Sequence, residues 1–275
     1  MTYKCDVCPR GCVIAPGNKG LCKARGASED GVISLSYGKV CSVALDPIEK
    51  KPLRHFHAGS MILSVGSFGC NLRCPWCQNY RISTAGESDI SFREITPQAL
   101  VELAEAYVGQ GNIGVAFTYN EPLIWYEYVR DTARLLTERG LKVVLVTNGY
   151  ANPEKFRELL PLIDAMNIDL KGIREEFYRT IGGELNIVQE NIRAASESSH
   201  VEVTCLLIDG ENDSEDEMEG LTEFIASVSK DIPLHISRFF PRHKMQDREA
   251  TKIDTMLRFE DIARRKLTHV HLGNI

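Results

Sequence analysis

One stretch dominates this sequence: Gly69-Cys70-Asn71-Leu72-Arg73-Cys74-Pro75-Trp76-Cys77-Gln78-Asn79, directly after the apolar run Met61–Val65. Its cysteines have the spacing C-x3-C-x2-C. Three thiolates at this spacing can bind three corners of a cubane iron–sulfur cluster, which leaves the fourth iron open to substrate chemistry. The alternatives are a structural zinc site with a distant fourth ligand, or buried cysteines without a ligand. Structural zinc normally has four ligands, and no fourth lies nearby.

Outward from this motif, short and nearly continuous apolar runs alternate with helical patterns. Such runs are typical of parallel strands that are buried on both faces. The predicted strands are Met61–Val65, Ile113–Thr118, Val143–Thr147, Ala165–Leu170, Val201–Ile208 and Pro233–Ser237. Six strand–helix repeats indicate an α/β fold with a partial parallel (β/α)6 TIM-like barrel, and an open doubly wound sheet is the alternative.

The amino-terminal part of the chain differs in composition and is rich in Cys, Gly and Pro. We predict a small Cys-rich metal-binding module over residues 1–57 and the barrel, with a carboxyl-terminal strand near Thr268–Gly273, over residues 58–275. The module contains a second metal motif, Cys5-x2-Cys8-x3-Cys12-x9-Cys22. Four thiolates suit structural zinc or a second iron–sulfur cluster that relays electrons, and spacing alone does not separate the two.

Composition excludes several classes of protein. The 275 residues are 43% hydrophobic and 25% charged, which is typical of a soluble globular protein. No apolar run approaches a membrane span, and the first residues have no apolar signal region, so we expect a cytoplasmic protein without membrane partners. The 32 basic and 38 acidic residues give a net charge of −6, which does not favour nucleic-acid binding. Nine closely spaced cysteines favour metal over disulfides.

The cysteine motif resembles the signature of radical S-adenosylmethionine (radical SAM) enzymes, with Trp76 as the aromatic residue before the last cysteine. Further segments are similar to pyruvate formate-lyase activating enzymes, and most of all to the AmmeMemoRadiSam-system branch: Cys77-Gln78-Asn79, Tyr119-Asn120-Glu121-Pro122, Asp169-Leu170-Lys171 and Asp46–Leu53. The resemblance implies a [4Fe–4S] cluster on Cys70, Cys74 and Cys77. It also implies SAM as cofactor, cleaved to methionine and a 5′-deoxyadenosyl radical that abstracts hydrogen.

The resemblance also implies SAM-binding residues where the predicted strands end. They are Asn120, Glu121, Thr147, Asn148, Asp169, Lys171 and His243. Glu121 would receive the ammonium group, although Tyr119-Asn120 stands where the family often has Gly-Gly. The alternatives are that Asn120 caps the helix that begins at Pro122, that Asp169 and Lys171 form a salt bridge, and that His243 is a structural histidine.

Together these features predict a radical SAM oxidoreductase that activates or modifies a protein, as glycyl-radical activating enzymes do. An electron donor such as flavodoxin or ferredoxin would be its partner. Modification of a small metabolite or RNA base, and a metal-binding module without catalysis, are the alternative functions. No residue is assigned a catalytic role, and the sequence does not name the substrate.

Overall fold

The computed structural model describes all residues, 1–275, and is organised around one eight-stranded sheet. In the order in which the strands lie side by side, the sheet runs β14-β13-β12-β11-β10-β9-β7-β6. All fourteen strands of the chain are β1 Tyr3–Lys4, β2 Val13–Ile14, β3 Arg25–Ser28, β4 Gly31–Ser34, β5 Lys39–Val40, β6 Ser42–Pro47, β7 Met61–Gly66, β8 Arg93–Glu94, β9 Asn112–Phe117, β10 Lys142–Thr147, β11 Ala165–Asp169, β12 His200–Leu207, β13 Leu234–Arg238 and β14 Val270–Gly273.

The order of these strands decides between the two predicted folds. From β7 to β14 the neighbours follow chain order in one direction, and every pair is parallel. A doubly wound sheet would reverse its strand order at a switch point, which this sheet does not do. The prediction of a partial parallel barrel is therefore confirmed. The sheet stays open, because β14 and β6 are its two edges.

All six predicted strands are present, each within about one residue of its predicted bounds. The predicted carboxyl-terminal strand is also present, as β14, and pairs parallel with β13. The edge strand β6 was not predicted to join this sheet; it pairs antiparallel with β7. β6 lies within residues 1–57 but belongs to the barrel sheet. The boundary at residue 57 between module and barrel stays a prediction.

Helices cover the convex face of the sheet. They are α1 Tyr80–Ser83, α2 Pro97–Ala106, α3 Tyr126–Glu138, α4 Pro153–Leu159, α5 Glu175–Thr180, α6 Leu185–Ser196, α7 Glu215–Val228 and α8 Ile253–Arg264. The start of α2 shows why the sequence predicts these elements, since Thr96 Oγ1 accepts a hydrogen bond from Ala99 N and Pro97 occupies the first turn. No helix is both long and apolar enough to cross a membrane.

The concave face of the sheet is polar in its second half. Alternate residues of a strand share a face, and the register of β11 to β14 aligns Asn167 with Glu202, Thr204 with His235, and His235 with His271. Hydrogen bonds join these side chains, including Thr204 Oγ1 to Asn167 Oδ1 at 2.9 Å and a 2.6 Å bond between His235 Nε2 and Glu202 Oε2. The chain's own backbone completes this network, because Glu202 accepts from the N–H groups of Arg54 and His55 and Asn167 donates to the Pro52 carbonyl.

Candidate active site

The loop with the three cysteines leaves β7 at the carboxyl end of the sheet, where parallel-barrel enzymes have their active sites. Asn120, which follows β9, holds the start of this loop. Its Oδ1 accepts a hydrogen bond from Ser67 N at 2.9 Å, and its Nδ2 donates to the carbonyls of Phe68 and Gly69 at 3.2 Å each. The side chain predicted to assist in SAM binding therefore fixes the backbone before Cys70.

The thiols of this loop lie among hydrogen-bond donors. Cys70 Sγ accepts from Leu72 N at 3.4 Å and from Asn148 Nδ2 at 3.7 Å, and Cys77 Sγ lies 3.2 Å from Ser83 Oγ. Hydrogen bonds to cysteine sulfur are among the features that tune iron–sulfur clusters. This donor set fits the cluster that the sequence predicts.

The charges around these thiols show which groups are neighbours. Burial raises the pKa of Cys70 well above its usual value, and the charges of Glu121, Cys74 and Cys77 raise it further. Burial also raises the pKa of Cys74 to about 11, against the opposing charge of Lys171. The cysteine loop and two of the predicted SAM-binding residues thus share one neighbourhood.

The spacing of potential ligands also bears on the kind of metal group. No three His, Cys, Asp or Glu side chains in the structure converge closely enough to ligate one common ion. Cys70, Cys74 and Cys77 supply three thiols from one loop, whereas structural zinc normally has four ligands, so the set fits a group with one open coordination position.

Glu121 is the buried centre of the site, with 2% exposure. Its carboxylate accepts hydrogen bonds from Thr147 Oγ1 at 2.6 Å, Asn148 N at 2.8 Å and Leu123 N at 2.8 Å. Burial raises its pKa to about 7, although these donors act to lower it. Glu121, rather than Asn120, therefore caps the turn that begins at Pro122. One acceptor position of the carboxylate stays free for a ligand.

Asn148 connects the end of β10 to the cysteine loop. Its Nδ2 donates to Asn71 Oδ1 at 2.9 Å, and Asn71 Nδ2 donates to the Tyr150 carbonyl at 2.5 Å. Sequence reasoning did not assign a role to Asn71. The available signal was its position inside the cysteine motif, where an amide is the residue type that can join two loops.

Asp169 and Lys171, at the end of β11, form an ion pair of 2.8 Å, as the alternative interpretation expects. The pair is not fully enclosed, since the side chains are 35% and 14% exposed. Burial acts to lower the pKa of Lys171, but Asp169 and Cys74 raise it above its usual value. Lys171 is therefore a fixed cation beside Cys74, and Asp169 keeps oxygen surface for a ligand.

His243 lies in the loop after β13, in a left-handed conformation with φ +51°. Its ring stacks on Tyr80 at 4.7 Å and 15°, three residues after Cys77. The next residue, Lys244, donates its N–H to the Pro75 carbonyl at 2.8 Å. This loop therefore packs on the cysteine loop, and all seven predicted SAM-binding residues lie at the carboxyl end of the sheet.

A half-buried polar group at the end of β9, formed by Tyr119, Asp46 and Lys51, was not predicted. Tyr119 has φ +70°, a conformation that favours glycine, which agrees with its place at a position where the family often has Gly. Its hydroxyl donates to Asp46 Oδ2 at 3.0 Å, and Lys51 Nζ lies 2.9 Å from the same oxygen and 4.9 Å from the ring centre. Asp46 and Lys51 belong to the Asp46–Leu53 segment, which the sequence marks by resemblance alone.

The four amino-terminal cysteines, here called the cysteine quartet (Cys5, Cys8, Cys12 and Cys22), line one cavity. Burial raises the pKa of Cys8 to about 12, so the thiol is protonated unless a metal binds. The remaining two cysteines, Cys41 and Cys205, belong to neither set, and Cys205 is buried within β12.

The sequence matches a family model and is similar to several known proteins. Residues 64–223, more than half of the chain, match the family model described as "Radical SAM superfamily". An uncharacterized protein of Methanocaldococcus jannaschii is 38% identical over 99% of this chain and 81% of its own length. The pyruvate formate-lyase-activating enzyme of Clostridium pasteurianum is 23% identical over 70% of this chain and 80% of its own length.

A solved structure, Streptococcus suis SuiB bound to precursor peptide SuiA, is similar in fold. The match has a TM-score of 0.60 at 11% identity and covers 76% of this chain and 47% of that one. At this identity the likeness concerns the fold alone.

Proposed function

This chain belongs to the radical SAM superfamily, and from that membership we propose that it cleaves SAM reductively in order to modify a protein, as glycyl-radical activating enzymes do. Family membership makes the chain an enzyme of the oxidoreductase type and implies a [4Fe–4S] cluster and SAM. When bound, the cluster supplies the electron that cleaves SAM to methionine and a 5′-deoxyadenosyl radical. The side chains around the cluster bind and position SAM and the substrate.

One observation carries this proposal: three thiols, two of them beside hydrogen-bond donors, lie at the carboxyl end of an open barrel among polar residues that follow four strands. We propose that Cys70, Cys74 and Cys77 hold the cluster. Glu121 would accept from the SAM ammonium group at its free position, and Lys171 would attract the carboxylate. Asp169 would accept from the ribose, and the Tyr80–His243 pair offers a flat surface for the adenine. Asn120, Thr147 and Asn148 would keep these groups in place.

A protein substrate is favoured by the relatives and by the open sheet. Activating enzymes are among the relatives, and the structurally similar SuiB is bound to a peptide. In this chain the sheet is open, with β6 and β14 as its edge strands, and a peptide loop would approach the radical at the carboxyl end of the strands. A flavodoxin or ferredoxin would provide the electron. We also propose that the cysteine quartet binds a second metal group.

A small polar substrate is the second candidate. The Tyr119–Asp46–Lys51 group, next to the cysteine loop through the bond from Asn79 Nδ2 to the Tyr119 carbonyl, would offer it charged and hydrogen-bonding partners. A metabolite or an RNA base could bind there.

The test has two stages. The reconstituted enzyme is first incubated anaerobically with SAM and dithionite, and 5′-deoxyadenosine is measured; none would form if the chain lacked radical SAM activity. Anaerobic extract of the source organism is then divided by ultrafiltration. Stimulation of SAM cleavage by the retained fraction, lost after protease treatment but not after nuclease treatment, supports a protein substrate. Stimulation by the filtrate contradicts it and favours the small substrate.

A further inference from the structure

An open cavity of about 350 Å³ lies beside the cysteine loop. Asn79, two residues after Cys77, lines one side of it, and Tyr119, shortly after β9, lines another. Ser42 also lines the cavity, and Ser42 pairs with Gly66, the last residue of β7. The cavity is therefore at the carboxyl end of the sheet, where parallel-barrel enzymes have their active sites, and its volume is that of a ligand pocket.

This cavity adjoins the surface that we propose for the adenine of SAM. Tyr80 lines the cavity, and its ring also stacks on the ring of His243, with the two ring centres 4.7 Å apart. Asn79 Nδ2 donates to the Tyr119 carbonyl at 2.8 Å, which joins two walls of the cavity. Under the proposed function, a substrate group held here lies next to SAM and to the cluster ligand Cys77.

The lining of the cavity is cationic. Arg81, in α1, and Arg242, in the loop after β13, both line it, and no Asp or Glu does. Both arginines are exposed, and neither takes part in an ion pair of the structure. Asp46 lies behind the lining residue Tyr119, but it is bound by Lys51 at 2.9 Å. The chain thus supplies two guanidinium groups to this cavity and no anion to balance them.

A second cavity at the same end of the sheet has the opposite charge. It also measures about 350 Å³ and lies between the loops that follow β11 and β12. Its one arginine, Arg174, pairs with Glu217 at 2.8 Å. The carboxylates that line it are those of Glu211, Asp213, Asp216 and Glu217. An arginine in that cavity finds its anion within the chain, whereas Arg81 and Arg242 require one from a ligand.

We propose that the cavity lined by Arg81 and Arg242, here called the arginine cavity, binds carboxylate side chains of the protein substrate, which therefore presents an acidic segment to the enzyme. This inference deepens the proposed function and rests on it. Arginine binds a carboxylate through two parallel charge-assisted hydrogen bonds. Asp and Glu are the side chains that are anionic at neutral pH in an unmodified protein, so a peptide with several of them satisfies both arginines.

Two labelled peptides test the charge preference. A rhodamine-labelled peptide of glutamates and a glutamine peptide of the same length and label are titrated with the anaerobically reconstituted enzyme in the presence of SAM, and fluorescence anisotropy is measured. We expect the glutamate peptide to bind about tenfold more tightly and to weaken as the salt concentration rises. Equal binding of the two peptides overturns the proposal.

A double variant tests whether the two arginines cause the preference. Arg81→Gln/Arg242→Gln keeps polar side chains but removes both charges, and it should weaken binding of the glutamate peptide about tenfold. Arg139→Gln, which alters an exposed arginine paired with Glu105, is the matched control and should bind like the wild type. Unchanged peptide binding in the double variant overturns the proposal. A double variant that weakens SAM binding alone assigns the arginines to SAM and overturns it as well.

A competition experiment separates a protein segment from a small anion. Glutarate, a small dicarboxylate, should displace the glutamate peptide only at concentrations far above the dissociation constant of the peptide. Displacement by glutarate at the peptide's own binding concentration contradicts a protein segment. Peptide binding is measured without turnover, so it supports or overturns the acidic preference by itself. Failure of the proposed function is seen separately, as wild-type enzyme that forms no 5′-deoxyadenosine with dithionite.

Discussion

The two cysteine sites of this protein differ in their surroundings more than in their cysteines. Cys70, Cys74 and Cys77 lie among carboxylate, ammonium and amide groups from three strand ends, and their set is one thiol short of a closed site. The quartet has four thiols between apolar side chains and two arginines. Polar partners beside an incomplete ligand set suit a site that binds a cosubstrate. A complete set between apolar walls suits a structural or electron-carrying role.

The sharpest way to break this comparison is to remove one thiol from each site. We expect Cys74→Ala to abolish 5′-deoxyadenosine formation with dithionite, because the cluster loses one of only three ligands. Cys8→Ala should retain a measurable rate with the same reductant. Iron content and product are measured on both proteins, and a Cys74→Ala protein that still cleaves SAM contradicts the division of roles.

A second prediction concerns how Glu121 makes the stability of the metal-free protein depend on pH. Its folded pKa, about 7, lies above the ordinary value of 4.5, so the folded state binds the extra proton. Its stabilising contribution is therefore complete below pH 4.5 and is lost as pH rises through 7, by at most about 3 kcal/mol. The free energy of unfolding is measured in urea between pH 4.5 and 7, and it should decrease with rising pH more in the wild type than in Glu121→Gln. The same pH dependence in both proteins would refute the prediction.

The third prediction tests whether Lys171, beside Cys74, contributes to SAM binding. Lys171→Ala should raise the SAM dissociation constant about tenfold, ~1.4 kcal/mol, with the cluster intact. The physical reason is the loss of the fixed cation beside Cys74. Lys142→Ala, which breaks a surface pair with Asp164, is the control. Isothermal titration under anaerobic conditions measures both, and equal affinities in the two variants count against a binding role.

The smallest expected effect concerns the Tyr119–Asp46–Lys51 group. Tyr119→Phe removes the hydroxyl that donates to Asp46 and keeps the ring against Lys51, so it should cost about 1 kcal/mol of unfolding free energy. Urea unfolding at pH 7 measures it. Tyr37→Phe, which removes an exposed bond to Asp131, should cost less. A larger loss in the control would mean that the Tyr119–Asp46–Lys51 group contributes little.

Much of the fold could be predicted because its signals are local. The runs Val143–Thr147 and Ala165–Leu170 are apolar throughout, and a strand buried on both faces needs this pattern wherever it lies. The edge strand Ser42–Pro47 could not be predicted as part of the sheet. It contains Ser, Asp and Pro, and it owes its place to pairing with β7.

The candidate site divides in the same way. The spacing of Cys70, Cys74 and Cys77 is determined by the sequence, because ligands within eight residues are held together by the chain itself. The same is true of the quartet motif. Which polar residues end the strands also follows from the sequence, once the strands are known.

Only the tertiary structure decided how these side chains are used. Asn120 holds the backbone before Cys70, Glu121 joins the ends of two strands, and Tyr119 reaches Asp46 across 73 residues of chain. The contact between Cys22 and Gly69 likewise spans two separate segments. Such pairings depend on strand order, register and loop packing. No local pattern encodes these, because each is the outcome of burying the whole sheet at once.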